Sequence, residues 1–148
     1  MIGIIDYNMG NLASVYNACK LIDADATIVK NPEDLKKFNR VILPGVGAYK
    51  DAMEHLIQTG MNEAVYEFAK TGKPMIGICL GMQLLFESSQ EFGHSDGLGL
   101  IDGHVIKFDK SKMHEDFKIP HMGWNTIKNK ENPLFEGLKD PYLYFVHS

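Results

Sequence analysis

Residues 74–86 read PMIGICLGMQLLF. Met75 to Cys79 is a charge-free run after Pro74, with the length and composition of a buried strand. Met82, Leu85 and Phe86 then recur at helical spacing, so a helix is expected directly after the cysteine. A strand, a tight turn and a helix make the repeating unit of a parallel α/β sheet, and the same unit recurs upstream. MIGIID reads as a first buried strand and NMGN as a turn. Leu12, Val15, Tyr16, Cys19 and Ile22 then predict a helix from about Leu12 to Ile22. ATIVK is a second strand, closed by Asn31-Pro32 and followed by a short helix over Glu33 to Lys37. RVILPG is a third strand ending at Pro44-Gly45. A helical region from about Tyr49 to Ala69 follows, broken near Gly60, and Gly72 and Pro74 turn the chain into the fourth strand.

These strands are apolar throughout rather than alternating. That is the pattern of strands covered on both faces, so a doubly wound, mostly parallel sheet with right-handed crossovers is expected. After about Gly93 the pattern changes. VIKF, WNTI and YLYFV are short strand candidates separated by Gly, Asp, Asn and Pro, and this loop-rich part reads as more antiparallel. No repeat, low-complexity tract or linker divides the chain, so residues 1–148 are expected to form a single domain.

With 148 residues, 45% of them hydrophobic and 23% charged, the chain can bury a real core. A net charge of −4 argues against non-specific binding to nucleic acid or to an anionic membrane. No apolar run approaches the ~18 residues of a membrane span, and MIGIID lacks the basic start of a signal peptide. Two cysteines without a pairing pattern fit a reducing cytoplasm.

Ligands of doubly wound sheets bind beyond the carboxyl ends of the strands. Three glycine-bearing turns fall at such ends, DYNMGN, PGVGAY and CLGMQ, and the fold would bring them to one edge. Gly77-Ile78-Cys79-Leu80-Gly81 has the form of a nucleophile elbow, with Cys in place of Ser. A lone strand-end cysteine is more often a buried thiol. Here the flanking glycines suit a strained turn, and a helix start favours the thiolate form. The N–H of Leu80 would point at an oxyanion on an attacked carbonyl, and the Gly45-Val46-Gly47 turn would offer a second N–H. Cys19, on the apolar side of the first helix, reads as a core thiol. The G-x-G-x-x-G fingerprint is absent, which sets aside a dinucleotide site. His55, His94, His104, His114, His121 and His147 show no ligand spacing with the cysteines, so metal binding has little support. Trp124, in HMGWN, reads equally as core or interface.

Taken together, IIDYNMGN, LPGVGAY, GICLGMQLLFE and IPHMGWN resemble the class I glutamine amidotransferases, which have a Cys-His-Glu triad on a flavodoxin-like sheet. Within that class they are similar to the glutaminase subunits of imidazole glycerol phosphate synthase, and the resemblance spans essentially the whole chain. It implies that Cys79 attacks the carboxamide of L-glutamine, giving a glutamyl thioester and ammonia. It further implies an oxyanion hole from Gly45, Val46, Gly47 and Leu80, with the glycine turn reorienting when the partner's substrate binds. Gln83, Glu91, His147 and Ser148 would hold the substrate, with Glu91 on its ammonium group. Trp124 and Tyr144 would face a (β/α)₈-barrel cyclase that receives the ammonia for histidine biosynthesis. Similar subunits supply ammonia for sugar amidination, and the pattern is compatible with both pathways.

The resemblance also implies a general base and its orienter in a His-Pro-Glu segment, several tens of residues beyond the equivalent of Ser148. No His-Pro-Glu occurs in residues 1–148. The chain is therefore expected to be a shortened form of the domain, inactive alone. A chain that kept the glutamine pocket without a base would instead be a non-catalytic binding subunit.

Overall fold

The computed structural model describes residues 1–114, 118–128 and 133–148. They fall into two compact units, Met1–Ile106 and Lys107–Ser148.

The first unit contains β1 (Ile2–Ile5), α1 (Leu12–Leu21), β2 (Ala26–Val29), a 3₁₀ turn (Pro32–Lys37), β3 (Arg40–Gly45), α2 (Tyr49–Thr59) and α3 (Met61–Lys70). It continues with β4 (Met75–Cys79), α4 (Leu80–Gln83), β5 (Phe86–Ser89), β6 (Ser95–Asp96) and β7 (Ile101–Val105). The first four strands form one parallel sheet in the order β2-β1-β3-β4. This is the flavodoxin-like order through its fourth strand, as the uniformly apolar strands led one to expect. The chain steps outward from β1 to β2, then crosses back over β1 to β3. Right-handed crossovers put α1 on one face and the α2–α3 connection on the other. The reversal opens a crevice beyond the carboxyl ends of β1 and β3.

Ile5, Val29, Val41 and Leu43 from the strands pack with Leu56, Val65, Phe68 and Leu84 in one buried cluster. Each such side chain contributes roughly 1.5–3 kcal/mol relative to exposure. Local chemistry sets the element ends. The Asn11 side chain accepts from the Ser14 N–H (3.2 Å) and caps α1. Asn31 does the same for Glu33 (3.1 Å), with Pro32 opening the 3₁₀ turn. Such caps are worth about 1 kcal/mol. Gly60 divides α2 from α3, where the break was expected.

The helix expected through Met82, Leu85 and Phe86 is corrected: α4 is a single turn, and Phe86 begins β5. The carbonyls that would continue the helix are taken by a distant segment. Leu98 N–H donates to Leu84 O (2.8 Å), Leu100 and Ile101 to Leu85 O (2.8 and 2.9 Å), and Gly99 to Phe86 O (3.0 Å). Non-local pairing thus overrides the local periodicity. β5 pairs antiparallel with β6 but parallel with β7, so the region after Gly93 is only partly antiparallel. Of VIKF, only Val105 lies in a strand.

The second unit holds β8 (His121–Thr126) and β9 (Tyr142–His147), antiparallel from His121↔His147 to Thr126↔Tyr142. These are the strands expected from WNTI and YLYFV. Alternation puts His121, Phe145 and His147 on one face, where His121 Nδ1 and His147 Nε2 lie 2.9 Å apart and Phe108 packs edge-on to His147. Burial, and secondarily His121, holds His147 below the ordinary histidine value of 6.5. The folded pair therefore favours neutral His147. Its contribution is fully present above pH 6.5 and is lost as pH falls through the lower folded value. Protection of the β8–β9 amides in hydrogen exchange is expected to fall on acidification from neutrality. Unchanged protection factors would count against a stabilising role for the pair.

Candidate active site

Gly45, the last residue of β3, is the in-register neighbour of Cys79, the last residue of β4. Cys79 has φ 56° and ψ −120°, a conformation that side-chain-bearing residues avoid at a cost of order 1–3 kcal/mol. Its side chain is exposed, whereas Cys19 is buried at 7% exposure. The two thiols thus separate as the sequence suggested.

The strain is held by backbone packed against backbone. A Cβ on Gly81 would collide with the Leu43 carbonyl oxygen, and one on Gly77 with the Met82 backbone. A Cβ on Gly45 would lie 2.5 Å from the Gly81 nitrogen. The turn after β3 and the elbow after β4 therefore touch directly. Because α4 is one turn long, little of an extended helix dipole reaches the sulfur. What remains is the local set of N–H groups in that first turn, which have no partner within the helix.

Val46 is exposed, and Gly47 takes φ 94°, so the end of the PGVG turn occupies a conformation that glycine allows. Leu80 is buried directly behind Cys79, and Gln83 sits on α4 four residues after it. Glu91 follows β5 and reaches across to α2, where its Oε2 accepts the Tyr49 N–H (2.6 Å). Tyr49 lies two residues after Gly47, so Glu91 stands at the exit of the PGVG turn. Cys79, Gly45, Val46, Gly47, Leu80, Gln83 and Glu91 thus all belong to the first unit, on the turns that follow β3, β4 and β5.

His147 and Ser148 lie in the second unit, at the end of β9, where His147 is paired with His121. Trp124 and Tyr144 are cross-strand neighbours there, their rings 5.4 Å apart and edge-to-face. They stay 68% and 52% exposed, on the face opposite the histidines. In the first unit, His104 Nδ1 is 2.9 Å from Ser88 Oγ, and His94 Nε2 is 3.0 Å from Asp96. Both rings are committed to partners other than Cys79. Among the described residues no three His, Cys, Asp or Glu side chains gather to hold a metal ion, and no helix is long and apolar enough to cross a membrane.

Sequence reasoning passed over Tyr7. It is fully buried, and its hydroxyl donates to the Pro44 carbonyl (2.9 Å) at the entry of the PGVG turn. The only sequence signal was its place in DYNMGN at the end of β1.

Comparison with known proteins agrees with this geometry. The family model for glutamine amidotransferase class-I matches residues 3–148. The imidazole glycerol phosphate synthase subunit HisH of Sulfurimonas denitrificans is 61% identical over 149 aligned positions, covering 100% of this chain and 72% of its own length. That of Wolinella succinogenes is 60% identical, covering 100% and 73%. A crystal structure of a glutamine amidotransferase superposes with a TM-score of 0.69 over 98% of this chain and 70% of its own, at 19% identity, and shows the shared fold. On these grounds the chain belongs to the class I glutamine amidotransferase family, among its HisH members.

Proposed function

We infer that this chain hydrolyses the side-chain amide of L-glutamine and delivers the ammonia to a synthase partner that makes imidazole glycerol phosphate in histidine biosynthesis. The observation that carries this reading is the exposed Cys79 in its strained elbow, in register beside Gly45. The sulfur attacks the carboxamide carbon, and the carbonyl electron pair moves onto oxygen. That oxyanion is received by the Leu80 N–H and a peptide N–H within Gly45, Val46 and Gly47. Collapse expels ammonia, once its nitrogen is protonated, and leaves a γ-glutamyl thioester. Water then adds to the thioester, the thiolate departs and glutamate is released.

Glu91 carries the counter-charge for the substrate ammonium, and Gln83 helps to hold the remainder. The general base and its orienter would come from sequence corresponding to the part of the HisH relatives that this chain does not match. Trp124 and Tyr144 present the aromatic surface suited to a (β/α)₈-barrel cyclase. The scheme calls on no cofactor or metal, and a role in histidine biosynthesis is consistent with a cytoplasmic location.

A diazoketone analogue of glutamine should alkylate Cys79 and spare Cys19, and free glutamine should protect Cys79. Peptide mass spectrometry reads both results. Equal labelling of the two thiols, or no protection by glutamine, would remove the basis for the reading.

A further inference from the structure

The PGVG turn is held at both ends by side chains from other turns. At its exit, the Glu91 carboxylate takes the Tyr49 N–H (2.6 Å). At its entry, the Tyr7 hydroxyl donates to the Pro44 carbonyl (2.9 Å) across 37 residues of sequence. Two residues after Tyr7, Met9 lies against Gly47: a Cβ there would stand 3.2 Å from its terminal methyl carbon. Gly45 is fixed against the elbow backbone. Between these anchors lie the exposed Val46 side chain and the positive φ of Gly47.

We propose that Tyr7 is a positioning residue for the oxyanion turn: its buried hydroxyl fixes the Pro44 carbonyl, so that rotation within Gly45–Gly47 aims an N–H at the oxygen above Cys79. The inference rests on the glutaminase reading and extends it to the DYNMGN turn. Three features support it. Tyr7 is fully buried, so its single hydrogen bond is made without competition from water. Burial, and secondarily the charge of Cys79, holds the hydroxyl well above its ordinary value, so it remains a donor throughout the working pH range and lies within the field of the sulfur. Tyr7 follows β1, which lies beside β3 at the switch point where this strand order binds ligands.

The test compares the full chain with its Tyr7→Phe variant, which keeps the ring and removes only the donor. Two electrophiles separate the roles. Iodoacetamide reports thiol reactivity alone. The glutamine diazoketone also needs its carbonyl oxygen held beside Cys79. Tyr7→Phe should slow diazoketone labelling of Cys79 about tenfold, the size of one misplaced donor, and leave the iodoacetamide rate unchanged. The buried Cys19 serves as an internal folding control, since its labelling rises if the core opens. Equal diazoketone rates in the two proteins would overturn the inference, and so would a parallel fall with both reagents or newly reactive Cys19. A parent chain whose Cys79 is not labelled selectively by the diazoketone would overturn the glutaminase reading, and this inference with it.

Discussion

Replacing Cys79 with alanine, in a form of the protein that also carries the general base and its orienter, will abolish glutamine-driven synthesis by the complex with the synthase partner, while synthesis from added ammonium salts continues. Removing a catalytic nucleophile typically lowers turnover by about 10⁴–10⁶-fold. Here the loss should fall on one branch, because ammonia added from solution enters after the step that needs sulfur. Steady-state rates with glutamine and with ammonium chloride decide the matter. Loss of both would mean that the substitution damages assembly rather than chemistry.

A companion substitution separates the sulfur from its backbone. Cys79→Gly should be equally inactive with glutamine yet more stable than Cys79→Ala. Position 79 holds φ 56° and ψ −120°, which glycine adopts freely and alanine does not. The difference should be about 1 kcal/mol in a denaturation experiment, after allowance for the extra freedom of glycine in the unfolded chain. An alanine variant as stable as the glycine variant would show that the elbow is not strained.

The second large effect is structural. Gly81→Ala should destabilise the chain by about 3–5 kcal/mol. The added methyl would meet the Leu43 carbonyl oxygen and the carbonyl carbons of Leu43 and Pro44. Those atoms belong to β3, which is paired on both sides, so no flexible side chain can yield. Gly72→Ala is the appropriate control. A Cβ there meets nothing within 4 Å, and only the left-handed φ of 70° opposes it, at about 1 kcal/mol. Urea midpoints of the two variants give the comparison. If Gly81→Ala is no worse than Gly72→Ala, close contact between β3 and the elbow does not hold the site.

These effects follow from features of differing legibility. The four parallel strands were readable because each is a short apolar run bounded by Pro, Gly or Asn, although the outer strand β4 is not buried as its composition led one to expect: Ile76 and Ile78 stay 40% exposed. The elbow was readable because Gly77 and Gly81 are required by contacts within a few residues of Cys79 or with the adjoining strand end. The short α4 was not readable, since Met82, Leu85 and Phe86 have helical spacing and the carbonyls of Leu84 to Phe86 are lost to the helix only through hydrogen bonds from Leu98 to Ile101. Tyr7 was hidden for the same reason: its partner is 37 residues away, and buried tyrosines are common in cores. Read alone, Glu91 is an ordinary solvated carboxylate. Its bond to Tyr49, 42 residues upstream, becomes visible only when the segment after β5 is placed beside the start of α2.

That bond has a consequence for anyone who would re-engineer the pocket. One carboxylate at position 91 holds the first N–H of α2 and, in the function proposed above, also offers its charge to the substrate. A designer who changes residue 91 to admit a different amino acid also rewrites the start of an eleven-residue helix. Substrate preference and fold are therefore not independent design variables at this position, and a new specificity must be introduced together with a new way of beginning α2.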